Sequence, residues 1–448
     1  MSATEDWPVY FSGENDEIMP WLRRHGIERI RVEYSDFGGV ARGKAVTLKQ
    51  FPHAISHGVG FCASVFAFDM PANVVPGTDY AEARGFGDFI VMPDLTSLRL
   101  LRHESGTAQV MGTLVWPDGP KVESCPRNIL NCVVERASKL GFKVFAAPEF
   151  EFYLLDENHQ LIDEGYQCYS MQKRTKFLAE ETALLEAGSA QCQLENSHYE
   201  WGPGQYEATM RYQEIREIAD SGHLFRATLK EAAINMGRRV TFMAKPFDGV
   251  TGCSAHIHLS LTDGEGKNLM ASSKQPGDIS DLCRHFIGGV LSHMDELTAI
   301  FFPNSNSYRR LVPGYFAPIS AVWGMDNRTA AMRVLSETPE STRCELRVCG
   351  GDIHVHLAMA AYLAAGLDGI EKGTDPGNPA SGDLDEQDVA RLPANWGDAL
   401  DAFDNSTWVK EAFGEEFCKN YSVVKRYEYD AFRRTVPETE RKTYIEFL

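Results

Sequence analysis

Phe145-Ala146-Ala147-Pro148-Glu149-Phe150-Glu151-Phe152-Tyr153 alternates apolar and acidic residues. Successive side chains of a strand point to opposite faces, so Glu149 and Glu151 share one face while Phe150 and Phe152 fill the other. Two carboxylates held side by side repel unless a cation sits between them or one keeps a proton, which fits a hard divalent ion or an acid/base pair. A single acidic pair is more often part of a half-solvated sheet face; three further segments weigh against that reading. Glu200 and Glu207 flank Trp201-Gly202-Pro203-Gly204-Gln205-Tyr206, His256 and His258 alternate in Ser254-Ala255-His256-Ile257-His258-Leu259-Ser260, and Glu345 and Arg347 alternate in Arg343-Cys344-Glu345-Leu346-Arg347-Val348. Each predicts a strand that delivers paired polar groups to one face. Phe145, Phe150 and Phe152 are expected in the core.

Outward from that stretch, residues 126–140 are amphipathic, and long helical patterns at 213–236, 279–301 and 353–371 alternate with the polar-pair strands. The pattern predicts a mixed sheet with helices packed outside it. Upstream, a helix is expected at 17–26, strands at 27–33 and 41–47 joined through Asp36-Phe37-Gly38-Gly39, and further strands at 89–92 and 109–115. Gly58-Val59-Gly60-Phe61-Cys62-Ala63 imitates a dinucleotide fingerprint, but it follows a helix rather than a strand, so its glycines are expected to shape a loop. Residues 71–87 and 372–388 read as surface loops. The turn-rich Trp116-Pro117-Asp118-Gly119-Pro120 marks a boundary between a small domain, 1–115, and a larger one, 116–448. His354 and His356 open an apolar helical segment and, two residues apart, do not share a helix face, so they are assigned no site.

The 448 residues carry a formal charge of -19, which disfavours nucleic-acid or anionic-membrane partners. No apolar run approaches the roughly 20 residues of a membrane span, and Met1-Ser2-Ala3-Thr4-Glu5-Asp6 lacks the features of a signal peptide. A cytoplasmic location is expected. The 10 cysteines include no Cys-x-x-Cys pair, which fits reduced thiols in a large core.

Five carboxylates (Glu149, Glu151, Glu200, Glu207, Glu345) with His256 suit two Mg²⁺ or Mn²⁺ ions. Arginines in Tyr308-Arg309-Arg310-Leu311-Val312-Pro313-Gly314-Tyr315, in Asp326-Asn327-Arg328-Thr329-Ala330-Ala331-Met332-Arg333 and at Arg347 supply planar forks for carboxylates and phosphates. Metal plus arginine is the apparatus of phosphoryl transfer.

These motifs resemble the glutamine synthetase family, from about residue 30 almost to the C-terminus. The resemblance rests on Asp36-Phe37-Gly38-Gly39 with Arg42-Gly43-Lys44, Pro148-Glu149-Phe150-Glu151-Phe152, Gly204-Gln205-Tyr206-Glu207, Lys245-Pro246 leading into His256-Ile257-His258, Arg310-Leu311-Val312-Pro313-Gly314-Tyr315 with Asn327-Arg328, and Glu345-Leu346-Arg347. It implies an α+β fold: a small β-grasp-like N-terminal domain and a larger catalytic domain with a curved, mainly antiparallel sheet backed by helices. It implies one ion on Glu151, Glu200 and Glu207, another on Glu149, His256 and Glu345, and ATP contacts from His258, Ser260, Arg333 and Arg343. Arg310 would clamp the glutamate α-carboxylate, with Thr251 and Gly252 at its amino end, and Arg328, Arg333 and Arg347 would face the transferred phosphoryl group. A homo-oligomer of two stacked hexameric rings is implied, with the small domain of one subunit closing the site of its neighbour.

The sequence departs from ammonia-using family members where ammonium is bound. Cys62 stands at an aspartate position and Phe316 at the glutamate after the Pro-Gly-Tyr flap, while Asp88 keeps an acid and Asp69 is an alternative. Thr251 replaces an asparagine, and no Asn-Leu-Tyr adenylylation segment occurs in the C-terminal third. The leading expectation is an ATP-dependent ligase joining glutamate to an organic amine, resembling the γ-glutamyl-amine synthetase branch, with an alkyl or aromatic monoamine ahead of ammonia. Ordinary glutamine synthetase, a γ-glutamylpolyamine synthetase and a non-catalytic glutamate- or nucleotide-binding homologue stand as alternatives.

Overall fold

The computed structural model describes residues 7–272 and 277–448; Met1–Asp6, read above for a signal sequence, lies outside them. The first sheet is built from β1 (Arg29–Ser35), β2 (Ala41–Thr47), β3 (Val59–Cys62), β4 (Asp88–Pro93), β5 (Arg99–Leu100) and β6 (Thr107–Val115), in the order β2-β1-β6-β4-β3 with β5 on β6. β1 and β6 run parallel and the other pairs antiparallel. Asp36 shapes the β1–β2 turn by accepting from the Val40 amide at 2.9 Å and from Arg42 Nε at 2.8 Å.

The glycine-containing stretch after residue 57, expected as a loop, is instead the edge strand β3. Gly58, at φ +72, lets the chain leave the helix Phe51–His57 hard against β4; a Cβ there would lie 2.2 Å from Ile90 Cγ2. The loop at 71–87 is also less superficial than expected, since Val75, Tyr80 and Ala81 are buried and the Tyr80 hydroxyl donates to Glu416 at 2.5 Å.

The second sheet contains β7 (Lys143–Leu155), β8 (Leu194–Tyr199), β9 (Gln205–Met210), β10 (Gln213–Glu214), β11 (Arg239–Thr241), β12 (Ala255–Thr262), β13 (Trp323–Met325), β14 (Met332–Leu335) and β15 (Arg343–Leu346). Its order is β13-β14-β15-β12-β7-β9-β8, with β10 and β11 also on β7, and only β13 and β14 pair in parallel. The resulting mixed α+β architecture agrees with the expectation. Phe150 and Phe152 lie on the helix-covered face, where Phe150 stacks on Phe225 of the helix Ile215–Asn235 with ring centroids 6.2 Å apart.

Phe145 departs from its expected place in the core. Counted in steps of two it shares the Glu149 face, is half-buried, and meets Tyr212 edge-on at 6.1 Å. The pattern at 279–301 folds as two helices, Asp281–Ser292 and Met294–Phe301. At the break, the His293 ring is held by Glu296 at 2.5 Å and Asp368 at 2.9 Å.

Buried polar groups join the two sheets. Arg127 reaches Asp220 at 2.8 Å and Asp94 at 2.6 Å. His354 caps the helix Val355–Lys372 while its Nε2 lies 2.9 Å from the Asp36 carbonyl, and His356 Nε2 meets Asp220 at 2.8 Å. Both histidines therefore act in packing and capping. No helix among the described residues is long and apolar enough to cross a membrane.

Candidate active site

Strand register assembles the site. β7 pairs with β12 so that Glu149 lies opposite His256, and with β9 so that Glu151 lies opposite Glu207. His258 in turn faces Glu345 on β15, and His198 on β8 faces Glu207. Five adjacent strands, β15-β12-β7-β9-β8, thus turn a period-two pattern into one carboxylate- and imidazole-lined face, with Glu200 arriving just past β8.

His256 Nδ1 lies 3.5 Å from Glu149 and 3.6 Å from Glu345, and His258 Nε2 lies 3.0 Å from Glu149. Ligand atoms gather within 4.8 Å of one another in three groups: Glu149, Glu207 and His256; Glu149, His258 and Glu345; and His198, Glu200 and Glu207. Glu151 stands beside them, its Oε2 accepting from the Ser254 amide at 2.8 Å and from Gln205 Nε2 at 3.1 Å. Sequence reasoning gave His198 no role and His258 only a nucleotide contact. The signal for His198 was its alternation with Glu200 along β8. Cys168, whose thiol donates to Glu200 at 3.0 Å, carried no such pattern.

Electrostatics divide these carboxylates. Burial and the charges of Glu149, Glu151, Glu200 and Glu345 hold Glu207 well above the usual carboxyl range, and burial together with Glu200 pushes Glu151 up to about 7. Burial acts the same way on Glu149, but His256 and His258 outweigh it and hold that carboxyl low. Glu345 falls to about 2 because Arg347, then His258 and His256, outweigh its burial. Burial and the charge of Arg347 lower His256 to about 4, which keeps its imidazole neutral and able to ligate. A cation would relieve the repulsion at Glu151 and Glu207, and the buried His256 Nε2 has no hydrogen-bond partner among the described residues. Oxygen donors with the neutral His256 imidazole fit Mg²⁺ or Mn²⁺.

The arginines converge from another side. Arg347 Nη1 pairs with Glu345, its Nε donates to the Arg328 carbonyl at 3.1 Å, and Arg333 reaches Glu345 at 3.0 Å and Asp326 at 2.6 Å. The Arg328 side chain is exposed. Arg310 is buried and donates to the Val348 carbonyl at 2.9 Å and to Ser254 Oγ at 2.6 Å. Gly252 packs directly on it, and a Cβ there would lie 2.8 Å from Arg310 Cγ and 2.3 Å from the Ala244 carbonyl. Gln205 ties this corner to the carboxylates: its Nε2 donates to Glu151 and to the Gly252 carbonyl, and its Oε1 accepts from the Thr251 hydroxyl and the Gly202 amide.

Next to this face opens a cavity of about 1500 Å³ lined by Phe145, Glu149, Tyr212, His258, Ser260 and Arg343, among others. It gathers three of the four residues expected at the nucleotide; Arg333 sits instead between Glu345 and Asp326. Phe316 lies on the exposed flap at φ +53, its ring 5.8 Å from that of Trp201. Cys62 and Asp88 are register partners on β3 and β4, in the other sheet. The alternative acid, Asp69, is buried and occupied by the Asn73 amide at 2.7 Å and the Asn73 side chain at 2.9 Å.

The family model "glutamine synthetase, catalytic domain" matches residues 123–444. The gamma-glutamylethanolamide synthetase of Streptomyces coelicolor is 35% identical, with 96% of this chain and 95% of that protein aligned. A type-1 glutamine synthetase of Dictyostelium discoideum is 32% identical over 94% of this chain and 84% of its own length. The glutamate–isopropylamine ligase of a Pseudomonas species is 31% identical over 96% and 98%. A solved structure described as a GmaS/ADP complex superimposes with a TM-score of 0.86 at 27% identity, covering 96% of this chain and 99% of that one. The carboxylate face, the arginine corner and these near-full-length matches lead to one conclusion: the chain belongs to the glutamine synthetase family.

Proposed function

We propose that this protein is an ATP-dependent ligase that joins the γ-carboxylate of L-glutamate to an organic monoamine, alkyl or aromatic, in preference to ammonia. The observation that carries the acceptor class is Phe316, an apolar ring on the flap where ammonia-using relatives place a glutamate. The ligases named for ethanolamide and isopropylamine among its relatives support the same reading.

In this reading Glu149, Glu151, Glu200, Glu207, His256 and Glu345 hold two or more Mg²⁺ or Mn²⁺ ions, with His198 and His258 beside them. Such ions neutralise phosphate charge when bound. His258, Ser260 and Arg343 contact ATP, and Arg310 with Thr251 and Gly252 seats glutamate. A γ-carboxylate oxygen attacks the terminal phosphorus of ATP, and ADP leaves. Arg328, Arg333 and Arg347 stabilise the charge in transit. The amine nitrogen then attacks the γ-carbonyl carbon of γ-glutamyl phosphate, the carbon–oxygen bond to phosphate breaks, and the nitrogen releases a proton.

The small domain, 1–115, carries Cys62 and Asp88 on a sheet separate from the flap, so we assign completion of the acceptor pocket to a second copy. A dodecamer of two stacked hexameric rings is the proposed assembly. Exposed apolar residues at the C-terminus, among them Val436, Tyr444, Ile445 and Phe447, supply surface for association. Phosphate release from ATP and glutamate across ammonia, methylamine, isopropylamine, ethanolamine, putrescine and aniline tests the reading. A monoamine should give the highest kcat/KM; ammonia in first place would overturn it.

A further inference from the structure

Five large aromatic side chains, Tyr166, Tyr169, Trp201, Tyr315 and Phe316, remain between 38% and 63% exposed around the mouth of the site. Apolar rings are not left open in one place without a partner surface or ligand to cover them. Trp201 directly follows Glu200 and meets Phe316 at 5.8 Å; Tyr169 lies over His198, ring to ring, at 4.7 Å. The Tyr166 hydroxyl donates to the Gly249 carbonyl at 2.5 Å, two residues before Thr251. Tyr315 adjoins Phe316 on the flap.

The two walls differ in how they are held. The turn carrying Trp201 is pinned on both sides by Gln205, whose carbonyl accepts from the Glu200 amide at 2.8 Å and whose side chain accepts from the Gly202 amide at 2.8 Å. Phe316 rides on exposed flap backbone at φ +53, a conformation unfavourable for a bulky side chain. The two rings are tilted by 56° with centroids 5.8 Å apart, so they form an apolar corner in which Trp201 is the pinned side and Phe316 the flap side. Ring faces accept alkyl and aryl groups and attract an ammonium through their quadrupole. On the flap side the mouth carries a cation, Lys245, whose Nζ lies 5.0 Å from the Tyr315 ring centroid. A second positive charge on an acceptor lying along the flap would meet repulsion from Lys245.

Building on the ligase reading above, we propose that Trp201 is a specificity-determining residue, the pinned wall of an aromatic corner completed by Phe316. The corner takes primary monoamines with an alkyl or aryl body and rejects diamines.

The test is kcat/KM for n-alkylamines from methyl to hexyl, benzylamine and 1,4-diaminobutane, each relative to ammonia, in the parent enzyme, Trp201→Val and Trp201→Phe. The parent should gain up to about fourfold per methylene that reaches the rings. Trp201→Val should flatten that slope and Trp201→Phe should restore most of it. A wall that served only folding would lower all acceptors together and leave the slope unchanged. An unchanged slope in Trp201→Val, or 1,4-diaminobutane outperforming n-butylamine in the parent, overturns the inference while amine ligation stands. If the parent uses ammonia alone, the ligase reading fails and takes this inference with it.

Discussion

Chelated protein should lose stability as pH rises from about 5 to 7, and Mg²⁺ or Mn²⁺ should restore it by an amount that grows over the same interval. Glu151 carries the arithmetic. Its carboxyl is pushed from an ordinary 4.5 up to about 7 by burial and by Glu200. The folded state therefore keeps a proton that the unfolded chain has already released, so stability falls between those two values and levels off above 7. At about 1.4 kcal/mol for each tenfold change, the cost is on the order of 3 kcal/mol. Glu207, also held well above the usual carboxyl range by burial and the neighbouring carboxylates, adds to the loss. An ion that binds the ionised carboxylates cancels this cost, so thermal midpoints measured with chelator and with excess Mn²⁺ should diverge with rising pH. Ordinary carboxylate ligands would complete that divergence below pH 5.5. Glu151→Gln, isosteric and uncharged, should remove much of the divergence between pH 5 and 7. A metal-dependent increment that stays constant from pH 5 to 7.5, or one unaltered in Glu151→Gln, would refute the reasoning.

Three other outcomes are expected. Phe316→Glu should move acceptor preference toward ammonia by at least tenfold in the kcat/KM ratio, since it replaces apolar contact with a charge that attracts ammonium; an unchanged ratio would exclude the flap from acceptor choice. Asp220→Asn should destabilise the fold by about 3–5 kcal/mol, because it strips a buried carboxylate from Arg127. Burial opposes the ionised form of Asp220, but Arg127 and His356 hold its carboxyl well below the usual range. Its contribution is therefore present above the ordinary carboxyl pKa of about 4 and fades as pH falls toward the folded value, a slope that urea titrations should find reduced in the variant. Removing residues 436–448 should lower the assembly mass by light scattering, because the helix Glu438–Tyr444 buries none of its residues within the chain; an unchanged mass would exclude it from association.

The carboxylate face was legible because strand periodicity is two, and register between neighbouring strands carries that pattern across the sheet. His198 carried the same two-residue spacing to Glu200, but its place beside Glu207 comes from the register of β8 on β9, which no local pattern gives. β3 was hidden by its glycines: local propensity disfavours a strand there, and pairing with β4 overrides it. Phe145 was misplaced by hydrophobicity alone, although its parity with Glu149 already put it on the site face. The break at His293 depends on Asp368, far away in sequence. Arg347 was flagged by its alternation with Glu345, whereas Arg310 and Arg328 gave no periodic signal and took their specific roles only from the family resemblance. Trp201 and Phe316 come from turns, where no periodicity links them.

Gln205 joins two halves of the site through one planar amide. Its two donors go to Glu151 and the Gly252 carbonyl, and its oxygen accepts from Thr251 and Gly202. With every bond in use, the amide cannot turn over without breaking four contacts, and it cannot follow Glu151 without drawing on the Thr251–Gly252 loop. Whatever part of a ligand's effect on Glu151 passes through this amide to the Thr251–Gly252 loop is a coupling free energy, and it acts equally in both directions. Occupancy at one end of the amide is thus reported at the other.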